Sequence, residues 1–407
     1  MYNMKGKYSV LFPSMLLLLL SLKYSDAQDL TPYELGGQLN VVHVAVPFLT
    51  VAPDSRAGAM GDAGIATLPD VYSMHWNPAK FAFIENDFGA AFSYTPWLRN
   101  LIDDINLAYL SGYMRIDNYQ VVSGSLTYFS LGEIIFTNMA GEPDGQHTPN
   151  EFALDAAYAR LFSDNFSGGL AFRYIRSDLT GGAYVQGMAS KAAQSFAADV
   201  SIYYHNDLNV SDFPGQLALG MNISNIGNKI TYSDNQNAQF IPINMGLGSS
   251  LMIDIDPYNS LAVAVDLNKL LVPTPPVYYQ DMEDDDGNPV IRAGLNPDVS
   301  VPMGMLQSFY DAPGGFREEL REIFYSVGME YWYLNQFAIR GGYYHEHETK
   351  GNRKYFTTGI GLKLNVFALD IAYLVPVYRT NPLANTLRFS LAFDFEALRR
   401  SSPDEAL

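Results

Sequence analysis

Few residues in this chain offer chemistry, and they lie far apart. His345-Glu346-His347-Glu348 is the one cluster of imidazoles, and in an extended strand His345 and His347 share a face where two ring nitrogens could hold a metal. The same tetrapeptide also reads as a solvated strand end. Asp281 to Asn288 is an acidic run containing Gly287. An EF-hand needs alternate oxygen ligands, a glycine at the turn and a distal carboxylate. Setting Gly287 at that turn puts Met282 at the first ligand position and Ala293 at the twelfth, so the EF-hand pattern fails and leaves a looser calcium site or a solvated loop tip. Gly-x-Ser-x-Gly, His-Glu-x-x-His, a Walker loop and a strand-borne GxGxxG are all missing from the sequence. The expectation is a protein that is not an enzyme, with no cofactor and no resident metal. A Ser, His and acid set distant in sequence is the remaining route to hydrolysis.

Composition points to the elements that would carry any function. Among 407 residues there is no cysteine, which removes disulfides, thiolate chemistry and lipid attachment at an N-terminal Cys. The net charge of −18 argues against nucleic acid as a partner. Aromatic residues reach 14% and charged residues only 17%, low for a soluble domain, where about 25% is usual. Beyond the N-terminus no long apolar run exists. Apolar residues diluted by alternation, with many Tyr and Phe for interfacial girdles, suit a transmembrane β-barrel. The N-terminus reads as a secretory signal: Lys5 and Lys7 are basic, Val10 to Leu22 is apolar, and Ser25-Asp26-Ala27 fits cleavage before Gln28.

From Phe88 onward segment after segment alternates. Leu170, Phe172 and Tyr174 oppose Ala171 and Arg173; Leu261, Val263, Val265 and Leu267 oppose Ala262, Ala264, Asp266 and Asn268; Ile105, Leu107 and Tyr109 oppose Asn106 and Ala108. One face is large and apolar, and the other is Gly, Ala, Ser, Asn or charged. That asymmetry predicts a convex wall against lipid and a concave wall around other contents. The fold expected is an all-β, transmembrane antiparallel β-barrel of about fourteen strands, near 88–95, 105–114, 119–130, 151–161, 166–176, 196–204, 216–225, 241–252, 260–268, 323–333, 337–345, 355–364, 367–375 and 386–395. Connections alternate between short turns and long excursions, placing the short side and both termini in the periplasm. His205 to Gly215 is the exception, long for a periplasmic turn.

Two stretches break the alternation. Ser55 to Ala79 has Gly58, Gly61 and Gly64 at every third position and ends at Asn77-Pro78, a turn signal. It reads either as a compact plug within the barrel or as a Gly-rich connector. Residues 271–322 form an excursion far beyond the usual 2–6 residues of a connection. Its apolar residues Met303, Met305, Leu306, Phe309, Tyr310 and Phe316 need a partner, either the barrel mouth or another protein. The domains expected are a signal peptide (1–27), a plug segment (28–86), the barrel (87–395) and a polar tail (396–407).

The run Arg56-Ala-Gly58-Ala-Met-Gly61-Asp62-Ala-Gly64, followed by Trp76-Asn77-Pro78-Ala79, resembles the entry to the FadL-like outer-membrane barrels. Gln307-Ser-Phe309-Tyr310-Asp-Ala-Pro-Gly-Gly-Phe316 and the strand layout resemble the PorV family within that group. The resemblance implies a fourteen-stranded barrel with an N-terminal plug, from a member of the Bacteroidetes. It also implies work in the type IX secretion system. There it would take cargo bearing a conserved C-terminal domain from a giant outer-membrane translocon barrel and pass it to a sortase-like attachment complex, amid outer-membrane lipid. One loop would engage the translocon, and 271–322 is the candidate. Resemblance to FadL-like proteins also allows a transporter of small hydrophobic molecules, with Gly124 and Gly132 as places for a kink in the wall.

Overall fold

In a computed structural model, residues 39–97, 104–137, 142–182, 184–185, 188–233, 238–285, 287–378, 383 and 386–394 are described. The expected signal peptide, Phe395 and the polar tail lie outside them. Fourteen strands form one closed antiparallel barrel. They are β1 (Phe88–Pro96), β2 (Ile105–Asp117), β3 (Gln120–Leu131), β4 (Asn150–Ser163), β5 (Phe166–Asp178), β6 (Ala193–Val210), β7 (Phe213–Gly227), β8 (Asn244–Asp256), β9 (Asn259–Leu270), β10 (Phe324–Tyr333), β11 (Phe337–His345), β12 (Lys354–Lys363), β13 (Phe367–Pro376) and β14 (Leu387–Asp394). β1 pairs with β14 from Gly89–Asp394 to Tyr94–Phe389, which leaves no open edge.

Alternation sets the two walls. Phe92, Leu110, Leu154 and Phe172 point outward and are 47%, 51%, 55% and 58% exposed, while Ser93, Ser111, Asp155 and Arg173 beside them point inward and are buried. Large apolar side chains arrayed outside a polar lumen are a lipid-facing design, in which every backbone group is satisfied by the neighbouring strand. Aromatic side chains cluster at both rims, with Tyr119, Phe162 and Tyr258 exposed near the short turns and Tyr343 packed on Phe356 at 4.9 Å near the other end.

Several expectations need correction. Ile105, Leu107 and Tyr109 belong to the inner face of β2, each 5% exposed or less. They pack there against luminal apolar residues, Ile105 and Leu107 within the cluster that holds Val46 and Phe48, so near the long-loop end the lumen is a hydrophobic core rather than a small-residue wall. The long sixth connection disappears, because β6 and β7 extend beyond their neighbours to a turn at Ser211-Asp212. Ser211 adopts a left-handed φ of 58° there. β11 ends at His345, so the alternation does not reach His347. His345 stacks on Tyr325 at 4.7 Å, and His347 Nδ1 instead pairs with Thr349 Oγ1 at 2.9 Å. Among the described residues no group of three His, Asp or Glu side chains is placed to hold a metal.

The chain also enters from an unexpected end. Asn40 N–H donates to Thr349 O at 3.0 Å, in the loop after β11. Asn40 Nδ2 donates to Pro275 O and to Glu318 Oε1, both at 3.0 Å, in the longest loop. β1 begins at the opposite, short-turn end, where Phe88 pairs with Met114. Residues 40–87 therefore traverse the lumen once before the wall starts, and the expectation that both ends of the chain share the short-turn side does not hold for the first described residues. With no native cysteine, single-cysteine variants test this directly. On intact cells an impermeant maleimide should treat Leu39→Cys like Gly287→Cys in the long loop and unlike Asp164→Cys in a short turn. Leu39→Cys behaving like Asp164→Cys would reverse the path.

Candidate docking loop and luminal segment

The luminal segment is short-range structure held by long-range bonds. A single helical turn, α1 (Ser55–Gly58), is N-capped by Asp54, whose Oδ1 accepts from Ala57 N–H. Asp54 Oδ2 accepts from Trp76 Nε1 at 2.7 Å, which ties α1 to a second turn, α2 (Ser73–Trp76).

The predicted segment residues each have a defined place. Arg56 reaches Glu330 on β10 through Nε (3.1 Å) and Nη2 (2.8 Å) and Asp70 through Nη1 (2.8 Å). Arg340 on β11 donates to Glu330 (2.6 Å) and to Asp370 on β13 (2.6 Å), so three carboxylates and two guanidiniums form one buried chain. Asp62 pairs with Arg388 on β14 at 2.7 Å and accepts from Tyr355 OH at 2.5 Å. The N–H groups of Gly64 and Ile65 both donate to Asp266 Oδ2 on β9, at 2.7 and 2.9 Å. Asn77 Nδ2 bridges Ile65 O and Ile202 O on β6, and Pro78 opens a 3-10 turn to Phe83. Gly58 lies under Arg388, where an added Cβ would be 2.3 Å from Nη1. Gly61 has the strictest need: its φ is +69°, and an added Cβ would lie 2.6 Å from the Tyr343 backbone.

The segment divides the lumen. On the long-loop side is a chamber of ≈ 320 Å³, and on the short-turn side a space of ≈ 690 Å³ beside Arg56, Asp70 and Arg340.

The long loop is clamped rather than loose. It carries a hairpin (Val277–Glu283 with Pro289–Ala293) and two helices, α3 (Val301–Gln307) and α4 (Phe316–Arg321). Lys269, at the end of β9, meets Glu319 (3.0 Å) and Glu322 (2.5 Å). Lys350, in the loop after β11, meets Glu318 (2.6 Å) and Glu322 (2.9 Å). Thr274 Oγ1 donates to Glu322 (2.7 Å), and Ala312 N–H to Glu319 (2.9 Å). Asp311 accepts from Thr274 N–H (3.1 Å), and burial pushes its carboxyl up to about 6.

Of the six apolar loop residues, five face solvent: Met303, Leu306, Phe309, Tyr310 and Phe316. Met303 and Leu306 sit one turn apart on α3, and Phe316 shares a face of α4 with exposed Leu320. Met305 is the exception and packs inward on the cluster containing Val46 and Phe240. The loop thus both folds onto the mouth and presents an apolar face. Sequence reading missed the clamp and the charged wall residues Glu330 and Arg340. A signal for some of them was available, since charged residues on the small-residue face of a barrel strand must point inward.

A closed barrel with an apolar exterior, short turns at one end, elaborated loops at the other and an occupied lumen defines an outer-membrane β-barrel protein. The chain belongs to the PorV family: the model described as type IX secretion system protein PorV matches residues 36–277. It is an outer-membrane component of that secretion system. No curated protein matches the sequence. Among solved structures, similar folds include the Pseudomonas putida toluene transporter TodX (10% identity, TM-score 0.47, covering 87% of this chain and 98% of that one). Others are a Pseudomonas aeruginosa FadL homologue (12%, TM-score 0.41, 88% and 99%) and the Ralstonia pickettii toluene transporter TbuX (10%, TM-score 0.41, 84% and 96%). At these scores the likeness carries nothing about ligand or mechanism.

Two substitutions test the energetics. Arg56→Ala leaves Glu330 and Asp70 without their shared cation. Glu330 keeps Arg340 and Asp70 is partly exposed, so the cost falls below the about 3–5 kcal/mol of an uncompensated buried charge; hydrogen exchange across residues 55–79 should rise, while Arg56→Lys should give a smaller change. Lys269→Ala should speed proteolysis within 271–322 and leave the heat-modifiable gel mobility of the barrel unchanged.

Proposed function

We propose that the protein is the carrier of the type IX system. It binds secreted cargo through the cargo's conserved C-terminal domain at the translocon and delivers it to the sortase-like attachment complex. Residues 55–83 act as a plug that keeps the barrel closed, the long loops lie outside the cell, and the short turns and the end of β14 face the periplasm. In this reading Met303, Leu306, Phe309, Tyr310 and Phe316 dock on a protein partner, while Met305 anchors the loop that displays them.

The observation that carries the reading is an apolar face fixed in place over a lumen that the segment divides. An exposed apolar patch of this kind marks a protein or lipid contact, and the buried lysine–glutamate clamp removes much of the ordering cost of binding. The FadL-like alternative requires an apolar path to a gap in the wall. β3 instead pairs with β2 and β4 on both sides of Gly124 without a bulge at that residue. Gly132, with φ +81°, lies just beyond the strand end. The long-loop chamber mixes apolar residues such as Val42, Leu49 and Ile65 with asparagines and paired charges, and the luminal segment closes it off from the short-turn side.

The test is affinity capture from detergent-solubilised outer membranes with mass spectrometry, comparing wild type with Leu306→Ser/Phe309→Ser/Phe316→Ser. Wild type should bring down a very large barrel and secreted proteins sharing a C-terminal domain, and the triple variant should lose them while remaining a heat-modifiable barrel. Retention of all partners by the variant would remove the loop from the reading. A wild-type protein that emerges alone and binds long-chain hydrophobic molecules would favour the transporter.

A further inference from the structure

The clamp on the long loop carries more acid than base. Lys269 is held between Glu319 and Glu322, and Lys350 between Glu318 and Glu322. Three glutamates thus share two lysines, and Asp311 adds a fourth carboxyl to the same set. Asp311 is 1% exposed, Glu319 6% and Glu322 9%, with each lysine at 6%. Asp311 is tied in at two points. Its Oδ2 accepts from Thr274 N–H (3.1 Å), and Thr274 Oγ1 donates to Glu322 (2.7 Å). The next residue, Ala312, donates its N–H to Glu319 (2.9 Å).

Among the described residues no lysine, arginine or histidine pairs with Asp311. From the side of α4 it meets Glu319 and Glu322, both acidic and both already bonded to lysines. The stretch entering the loop brings Thr274. The stretch before α3 brings Gly294, where an added Cβ would lie 3.2 Å from the Asp311 carbonyl oxygen. The remaining carboxyl oxygen, Oδ1, is buried and has no hydrogen-bond partner. A carboxylate taken out of water with an oxygen unsatisfied and two acidic neighbours is costly as an anion. A bound proton removes that charge and leaves the lysine bridges as they are.

We propose that Asp311 is a proton-operated latch: the long loop is held in its clamped form more firmly while this buried carboxyl carries a proton, and is held less firmly once it ionises. The proton binds better in the clamped loop. There burial, with Glu319 and Glu322 adding to it, carries the carboxyl up to about 6, whereas in an opened, solvated loop it returns to the ordinary value of about 4. The clamped form therefore takes up the proton first as pH falls. Its advantage is full below about pH 4, shrinks as pH rises and is spent above about pH 6. His347, in the loop after β11, is held below the usual imidazole range by burial and by Arg321, so it charges over part of the same interval. A change at Asp311 alone separates the two. The latch concerns how the loop is held and stands whatever the loop docks on.

Hydrogen exchange of the full-length protein in detergent, normalised at each pH to unfolded-chain rates, would be followed across residues 301–322, with β9 and β11 as internal references. Protection of the wild-type loop should be about three- to tenfold higher at about pH 5 than at about pH 8. Asp311→Asn keeps an acceptor for Thr274 N–H and carries no charge at either pH. It should remove the difference and protect the loop at the higher pH at least as well as wild type. Should Asp311→Asn fail to assemble, Asp311→Ala should be equally insensitive to pH. Equal protection of the wild-type loop at the two pH values overturns the proposal, as does a difference that persists in the Asp311 variant.

Discussion

Arg56 holds the lumen together. A barrel of fourteen strands encloses more space than its inward side chains can fill, and its wall carries carboxylates that would be costly alone. Arg56 answers both demands by bringing the segment's backbone to the centre and linking Asp70 to Glu330. Through Glu330 it joins Arg340 and Asp370 in one connected set. Buried ion sets of this kind contribute little net stability compared with a well-packed apolar core, but they punish misplacement heavily. Their effect here is to fix where the segment sits. Close backbone contacts at Gly61 and the hydrogen bonds to Asp266 then have one geometry to satisfy.

The same logic recurs at the mouth on a larger scale. Lys269 and Lys350 each hold two glutamates of the longest loop, and Asn40 of the entering chain shares Glu318 with Lys350. Parts of the sequence that are far apart are thereby tied together. An excursion of that length would ordinarily be mobile, and its apolar residues would collapse on themselves or on the barrel. Clamping separates the roles instead, with Met305 inward and Phe309, Tyr310 and Phe316 outward.

The barrel was legible in the sequence because strand alternation is a local property, carried by each segment alone. All fourteen strands fall where large and small residues alternate. The exceptions mark places where a distant segment changes the local rule. Ile105, Leu107 and Tyr109 look like lipid-facing residues until the luminal apolar packing is known. The β6–β7 turn looked long because the strand ends there are polar and leave the alternation pattern. The Gly58, Gly61 and Gly64 spacing announced close packing without naming its partners, since Asp266, Thr357 and Arg388 lie some two to three hundred residues onward. The clamp residues Glu318, Glu319 and Glu322 carry no signal of their partners, because nothing local tells a glutamate that a lysine will be buried against it.

The path of the chain constrains how the molecule is made. The luminal segment precedes every strand, yet it ends surrounded by all of them, so the wall has to wrap around it. β14 closes the barrel by pairing with β1, and it also carries Arg388, which binds Asp62, and Ser390, which meets both Ser55 and Ser93. The final strand thus reads the segment and the first strand together. Closure over a misplaced segment would leave Arg388 covered without its carboxylate. The seam thus joins wall and contents in one set of contacts, and neither reaches its final geometry without the other.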